Sequence, residues 1–157
     1  MDSVINTLKA FFGNYLLMSA AVAWLSAQII KVFTGMFKER KFDILVLLFS
    51  NGGMPSSHSS AVCALMTSSA ICYGAGSFQF AVTAILSIIV MMDASGVRYE
   101  TGEQAKIINK ITKELFSGRA EEINTGLKEL VGHTPFQVLV GALLGVVVSI
   151  LMSFAML

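Results

Sequence analysis

Residues 134–157 read TPFQVLVGALLGVVVSILMSFAML, and this stretch contains no acidic or basic side chain. Two other stretches are similar: residues 10–30 carry no charge, and residues 44–92 carry no acid or base apart from His58. A bilayer core of about 30 Å is crossed by roughly 20 predominantly apolar residues in a helix, and each stretch reaches that length. The chain is therefore predicted to be an all-α integral membrane protein, a helical bundle lying mostly in lipid.

The composition favours a single membrane domain over residues 1–157. Hydrophobic residues make up 55% of the chain and charged residues 13%, which is too apolar for an ordinary soluble domain of this size. Cys63 and Cys72 fall inside a predicted lipid-embedded helix, which argues against a disulfide framework and against a metal pair. Because the Asp, Cys and His residues have no convincing metal-ligand spacing, a metal-free chemistry without a cofactor is expected.

The predicted bundle has about four transmembrane helices. In chain order, these spans are residues 11–33, 57–75, 78–92 and 135–157. Residues 42–50 are apolar but too short to cross, so a re-entrant half-helix is predicted there. Residues 98–132 form a polar helical insert, and the series Thr101-Gly102-Glu103-Gln104 predicts a capping box at the start of its first helix.

The distribution of basic residues predicts the orientation. If residues 42–50 turn back, residues 31–58 and 93–133 share one face of the membrane. That face carries ten of the eleven basic residues, and only Lys9 lies on the other. The positive-inside rule then places the polar face in the cytoplasm and both termini outside. A segment 42–50 that crosses fully would overturn this assignment.

The two histidines and two prolines of the chain occur in two short clusters, PSSH at residues 55–58 and HTP at residues 133–135. Each cluster opens a predicted span on the same face. Proline suits the first turn of a helix, where its missing amide hydrogen has no helical partner to lose. The remaining free amides and the positive end of the helix dipole can bind an anion. A lone His at a helix end is usually structural, but two matching clusters favour a functional site.

Charged side chains are predicted at the same membrane boundary. Lys31 ends the first span, and Asp93 and Arg98 follow the third. Ionisable groups at this depth are costly unless they are paired or functional. Snorkelling to the headgroups is the alternative for Lys31, and a structural ion pair is the alternative for Asp93 with Arg98.

Together these groups suit a phosphate. Cations and amides neutralise its oxygens, one imidazole can attack phosphorus, and another can protonate the leaving oxygen. The candidate residues are His58, His133, Lys31, Arg98, Asp93 and Arg40, with the loop residues Gly53, Ser56 and Ser57.

The same residues resemble a known family. Pro55-Ser56-Ser57-His58 resembles the P-S-G-H motif of the type 2 phosphatidic acid phosphatases, which share their fold with the vanadium haloperoxidases. Lys31 resembles the Lys of their first motif. Arg98 and His133 resemble the Arg and the catalytic His of the third. Nearly the whole chain is similar to the divergent branch of this superfamily, which comprises small bacterial and plastid membrane proteins.

The resemblance implies a membrane-embedded, metal-independent phosphatase that acts on a phosphorylated lipid through a phosphohistidine. His133 would be the nucleophile and His58 the general acid, while Asp93 would orient His133. The implied phosphate ligands are Lys31, Arg98 and Arg40, with the amides around Gly53, Ser56 and Ser57. Membrane lipids are the expected surroundings, a homo-oligomer could complete the pocket, and no nucleic-acid partner is expected.

Three departures from that family's pattern leave a second function open, and one of them is the absence of the Arg-Pro of its first motif, for which Arg40 or Lys38 would have to substitute. The polar insert separates Arg98 from His133, and Gln137 stands where the family has an Asp four positions after the catalytic His. Gln can hold the imidazole ring but supplies no charge. The alternative is therefore a non-catalytic phospholipid or prenyl-phosphate binder or transporter. A third alternative is peroxidase chemistry with bound vanadate.

Overall fold

A computed structural model describes residues 2–39, 53–115 and 132–157. The helices in these ranges are α1 (Asp2–Phe12), α2 (Tyr15–Glu39), α3 (Ser57–Tyr73), α4 (Phe78–Ser95), α5 (Val97–Leu115) and α6 (Pro135–Met156). The half-helix predicted for residues 42–50, Arg40 and the second part of the polar insert lie outside the described residues.

The prediction of an all-α membrane bundle is confirmed. Among the described residues, the stretches long and apolar enough to cross a membrane are Tyr15–Thr34, Phe78–Leu115 and Pro135–Met156. The predicted count of four spans is not confirmed, because α3 has 17 residues. That length is at the short end of what a bilayer core requires.

Helix α3 is the central element of the bundle, because it packs against α2, α4 and α6. Its buried positions are occupied by small side chains, namely Ser57, Ser59, Ser60, Cys63, Ala64, Ser68 and Ser69. Lipid tails are as apolar as the helices, so helices in a membrane associate through close packing and hydrogen bonds. Small side chains permit that close packing here.

Helix α6 approaches α3 most closely, through two glycines one turn apart. A Cβ atom at Gly141 would overlap the backbone oxygen of Ser56, and a Cβ at Gly145 would overlap that of Ser60. The backbones are therefore in direct contact, and glycine is the only residue that both positions accommodate. This contact places the start of α3 beside the first turns of α6.

Hydroxyl groups add hydrogen bonds between the helices. Ser60 Oγ donates to the Ala23 carbonyl on α2 at 3.0 Å, and Ser87 Oγ donates to the Val62 carbonyl at 2.9 Å. At the other end of the bundle, the buried Tyr15 hydroxyl donates to the Ser149 carbonyl at 2.8 Å. These bonds satisfy polar groups that would otherwise lie unpaired in an apolar environment.

Two predicted helix starts differ from the structure. The first span begins at Tyr15, because the helix is interrupted at Asn14. The Oδ1 atom of Asn14 accepts a hydrogen bond from the Leu17 amide at 3.2 Å. The capping box predicted from Thr101 is wrong, because α5 already begins at Val97. Thr101 lies inside that helix, where its hydroxyl donates to the Val97 carbonyl at 2.7 Å.

We expect Gly145→Ala to destabilise the folded protein by about 1–3 kcal/mol or more, since an added methyl has no space against the α3 backbone. In a helix with free space at this position, the same change would stabilise the protein by about 1 kcal/mol. The sign of the stability change therefore shows whether the methyl group meets the α3 backbone. Thermal unfolding of the purified protein in detergent measures the effect. Gly76→Ala is the control, because nothing lies within 4 Å of its added Cβ. Equal melting temperatures for the two variants would contradict the packing account.

Candidate functional site

The loop before α3 is held between α2 and α6. Thr34 Oγ1 on α2 donates to the Met54 carbonyl at 2.9 Å, and the Ser56 amide donates to the Gln137 carbonyl on α6 at 3.1 Å. Ser56 is also the N-cap of α3, where its side chain accepts from the Ser59 amide. The first amides of this helix, at Ser57 and His58, have no partner within the helix. These contacts fix the position of the α3 N-terminus at this end of the bundle.

Lys31 lies against this loop. Gly53 has a positive φ of 92°, and a Cβ there would come within 3.1 Å of the Lys31 Cγ atom. Lys31 is 3% exposed, although it carries an amine at the end of a flexible stem. The close contact places the Lys31 side chain beside the start of α3 and favours glycine at position 53 on both conformational and steric grounds.

His133 lies just before α6 and is 3% exposed. Its backbone amide donates to the Ala94 carbonyl at 3.1 Å, and its ring Nδ1 lies 3.4 Å from Gln137 Oε1. The same oxygen accepts from the Thr134 amide at 3.1 Å, as part of the capping box that starts α6. Among the described residues, the other ring nitrogen, Nε2, is buried without a hydrogen-bond partner. A buried polar atom of this kind calls for an explanation, and a bound ligand is one.

Close backbone contact also fixes the junction of α4 and α5 near His133. A Cβ on Gly132 would overlap the backbone of Arg98 and Tyr99. Within the junction, Arg98 Nε lies 2.6 Å from Asp93 Oδ2, in an ion pair that is about half exposed. Such a pair adds about 0–1 kcal/mol to stability, so it mainly holds the two side chains in place.

The structure brings most of the predicted site residues to one end of the bundle. Lys31, Arg98 and Asp93 are near enough to act electrostatically on His58, whose side chain is exposed. Lys31 and His58 act in the same way on His133. Gly53, Ser56 and Ser57 form the loop and helix start described above. Arg40 is the one predicted site residue outside the described ranges.

The pKa of His133 is lowered from the ordinary value of 6.5, chiefly because burial disfavours the charged ring. The hydrogen bond with Gln137 raises the pKa, the positive charges of Lys31 and His58 lower it further, and a hydrogen bond with the Gly53 backbone raises it. Burial dominates this balance. His133 is therefore neutral at pH 7.

The side chain of Gln137 contacts the His133 ring, whereas Asp93, the residue predicted to orient that ring, pairs with Arg98. The signal for this contact was present in the sequence. Residues 133 and 137 are four apart at a helix start, and Thr134 with Gln137 has the spacing of a capping box. The contact of Thr34 with the loop had no such local signal, because the two groups are 20 residues apart.

Fold and site together define an all-helical integral membrane protein with a cluster of histidines and charged side chains at one end. Residues 12–148 match the Divergent PAP2 family, and the chain belongs to that family, which confirms the resemblance seen in its motifs. The chain is 41% identical over 151 residues to a Bacillus subtilis (strain 168) protein named Uncharacterized membrane protein YuiD. That alignment covers 90% of this chain and 95% of the relative. No solved structure matches the chain.

Acidification should reduce the stability of the wild type more than that of His133→Gln. The pKa of His133 is lower in the folded protein than the unfolded value of 6.5, so the unfolded protein binds the proton more readily. Above pH 6.5 the histidine is neutral in both states and does not change the free energy of unfolding. As the pH falls below 6.5, protonation of the unfolded state lowers the stability of the folded protein. A tenfold difference in proton affinity between the folded and the unfolded protein corresponds to about 1.4 kcal/mol. Melting temperatures at about pH 7.5 and about pH 5.5 test this. Parallel losses in both proteins would contradict the assigned direction.

Proposed function

We propose that the protein is a metal-independent phosphatase acting on phosphorylated lipids through a phosphohistidine. The observation that carries the proposal is His133 Nε2, which is buried, has no hydrogen-bond partner among the described residues and lies near Lys31 and His58. An imidazole nitrogen with no partner among the residues that the structure describes, near cationic groups and a helix N-terminus, suits attack on an anionic phosphorus centre. Membership of the Divergent PAP2 family is consistent with this chemistry.

The phosphate would bind at the amino end of α3. The amides at Ser57 and His58 point out of the first turn, where the helix dipole favours negative charge. Lys31 adds a buried positive charge, which is worth more in a water-poor site than at the surface. The remaining proposed ligands are Arg98, Arg40 and the backbone around Gly53 and Ser56.

The reaction would run in two steps. His133 Nε2 attacks phosphorus, so that an N–P bond forms while the ester P–O bond breaks, and His58 gives its proton to the leaving oxygen. His58 then takes a proton from water, which attacks phosphorus and releases inorganic phosphate from His133. Asp93 acts in this scheme through Arg98, whose guanidinium it holds at 2.6 Å.

A lipid is the proposed substrate because the site adjoins surfaces suited to acyl chains. On α4, in the turn and a half that precedes Asp93, Ile88, Ile89 and Met92 are 54%, 59% and 68% exposed. An exposed apolar surface on a membrane helix faces lipid. A phosphorylated lipid could therefore bring its headgroup to the site while its tails stay in the bilayer.

The alternative is a protein that binds or transports a lipid phosphate without hydrolysing it. Gln137 favours it, because a neutral amide cannot stabilise the imidazolium as a carboxylate would. In a serine protease triad, replacing the Asp by Asn lowers kcat by about 10⁴. Substrate binding in such a protein would remain while hydrolysis is slow or absent.

Phosphate release by the purified protein in detergent tests the proposal. The substrate panel is phosphatidic acid, phosphatidylglycerophosphate, and polyprenyl phosphates and diphosphates, each with and without chelator. We expect chelator-resistant release that His133→Ala abolishes and His58→Ala lowers by about 10²–10⁴. Lys31→Ala should weaken substrate binding, whereas Lys110→Ala, on the exposed side of α5, should not. No release from any substrate, with lipid binding that Lys31→Ala weakens, would favour the binder.

We also propose that the site faces the cytoplasm, as the distribution of Lys and Arg indicates. The test uses single cysteines in a chain whose Cys63 and Cys72 are replaced by Ala. A membrane-impermeant thiol reagent applied to intact cells should label Gly76→Cys, in the turn between α3 and α4, but not Lys110→Cys. Lysis should expose both. Labelling of Lys110→Cys alone in intact cells would reverse the orientation.

A further inference from the structure

We infer that α1 is an interfacial helix, which lies along the membrane surface opposite the candidate site and inserts one of its faces among the lipids. The candidate site lies at the Lys31 end of α2, whereas α1 precedes the Tyr15 end of the same helix. The apolar face of α1 plays no part in the proposed phosphate chemistry. Its partner is the boundary between the lipid headgroups and the acyl chains.

The sequence of α1 separates apolar and polar residues onto two faces. At about 3.6 residues per turn, its large apolar side chains fall within an arc of about 120°. These side chains are Val4, Ile5, Leu8, Phe11 and Phe12. All of them are exposed, from 42% at Ile5 to 63% at Val4. The polar face carries Asp2, Ser3, Asn6, Thr7 and Lys9. The helical bundle therefore leaves the apolar face of α1 uncovered.

The connection to α2 determines where α1 lies relative to the bilayer. Gly13 and Asn14 alone separate the two helices, and two residues reach at most about 7 Å. Hydrogen bonds hold this connection, because the Gly13 amide donates to the Lys9 carbonyl at 2.8 Å and the Asn14 amide donates to the Phe11 carbonyl at 3.2 Å. Since the membrane-spanning stretch of α2 begins at Tyr15, the last turn of α1 is held at the edge of the bilayer.

The length and shape of α1 favour lipid as the partner of its apolar face. The helix has 11 residues, which is too short to cross a bilayer core and marginal for an isolated helix in water. Its apolar arc of about 120° is wider than the seam of a coiled coil, so it suits a continuous apolar medium better than a single partner helix. The bilayer boundary provides that medium, and burial of the apolar face there stabilises the helix.

The charges of α1 indicate which lipids it binds. Asp2 lies in the first turn and Lys9 in the last, where each charge interacts favourably with the helix dipole. Because the two charges cancel, these side chains give α1 no net attraction to anionic lipids. Ser3, Asn6 and Thr7 make the rest of the polar face hydrophilic without charge. Burial of apolar surface therefore drives the insertion, and zwitterionic lipids are sufficient for it.

Spin labels on single cysteines test the position of α1 in the full-length protein, with Cys63 and Cys72 replaced by Ala, in phosphatidylcholine liposomes. Leu8→Cys and Thr7→Cys are a matched pair, because both positions are exposed and they lie on the apolar and the polar face. Collisions with oxygen report lipid, and collisions with a water-soluble nickel chelate report water. We expect the ratio of oxygen to nickel collisions to be several-fold higher at position 8. Added phosphatidylglycerol should leave this difference unchanged.

The depth of labels along the apolar face distinguishes an interfacial helix from a continuation of the span. Labels at Ile5→Cys and Phe12→Cys should lie at similar depths, about 5–10 Å into the boundary between headgroups and acyl chains. A steady increase in depth from position 5 to position 12 would overturn the inference, because α1 would then extend the span.

Three further results would also overturn the inference. Water-like collision ratios at both positions 7 and 8 would place α1 in solution. Spin–spin broadening at Leu8→Cys would show that a second copy of the chain covers the apolar face. Insertion that requires phosphatidylglycerol would show that charge, rather than apolar burial, drives it. None of these results depends on phosphate binding or hydrolysis, so each leaves the proposed function to its own test.

Discussion

The direct contact between the α3 and α6 backbones is the constraint on which the rest of the structure depends. Gly141 and Gly145 leave no space between α6 and the backbone oxygens of Ser56 and Ser60. At the same level, the Ser56 amide donates to the Gln137 carbonyl at 3.1 Å. Two motifs that are far apart in the chain therefore meet at one end of the bundle. A bulkier side chain at either glycine would separate the helix start that suits an anion from the histidine beside it.

The lipid environment explains why so many small and polar side chains lie inside this bundle. A soluble domain gains stability by burying large apolar side chains, whereas here those side chains face lipid on the outside. The interior is left to serines and glycines, which allow close approach and bond to carbonyls of neighbouring helices. Such a core gives polar groups fixed positions, as the Ser60 bond to Ala23 and the buried Lys31 illustrate.

The sequence predicted the fold better than the contacts of the site. Long uncharged stretches indicate membrane helices because the bilayer sets their length, and the two His–Pro clusters indicated where α3 and α6 begin. The start of α5 was predicted wrongly, because the local capping signal at Thr101 gave no information about a helix continuing directly from α4. The sequence did not decide between a structural ion pair of Asp93 with Arg98 and a functional role for the two residues. The contact of Thr34 with Met54 depends on tertiary packing that no local pattern encodes.

Direct detection of the phosphorylated residue tests the central claim most sharply. The purified protein would be mixed with a phosphorylated lipid, quenched in alkali to preserve an N–P bond, and mapped by mass spectrometry. The account predicts a phosphoryl group on His133, at increased occupancy in His58→Ala if water attack is slowed more than transfer. A protein that releases phosphate while His133 remains unmodified, or that carries the phosphoryl group elsewhere, would contradict it.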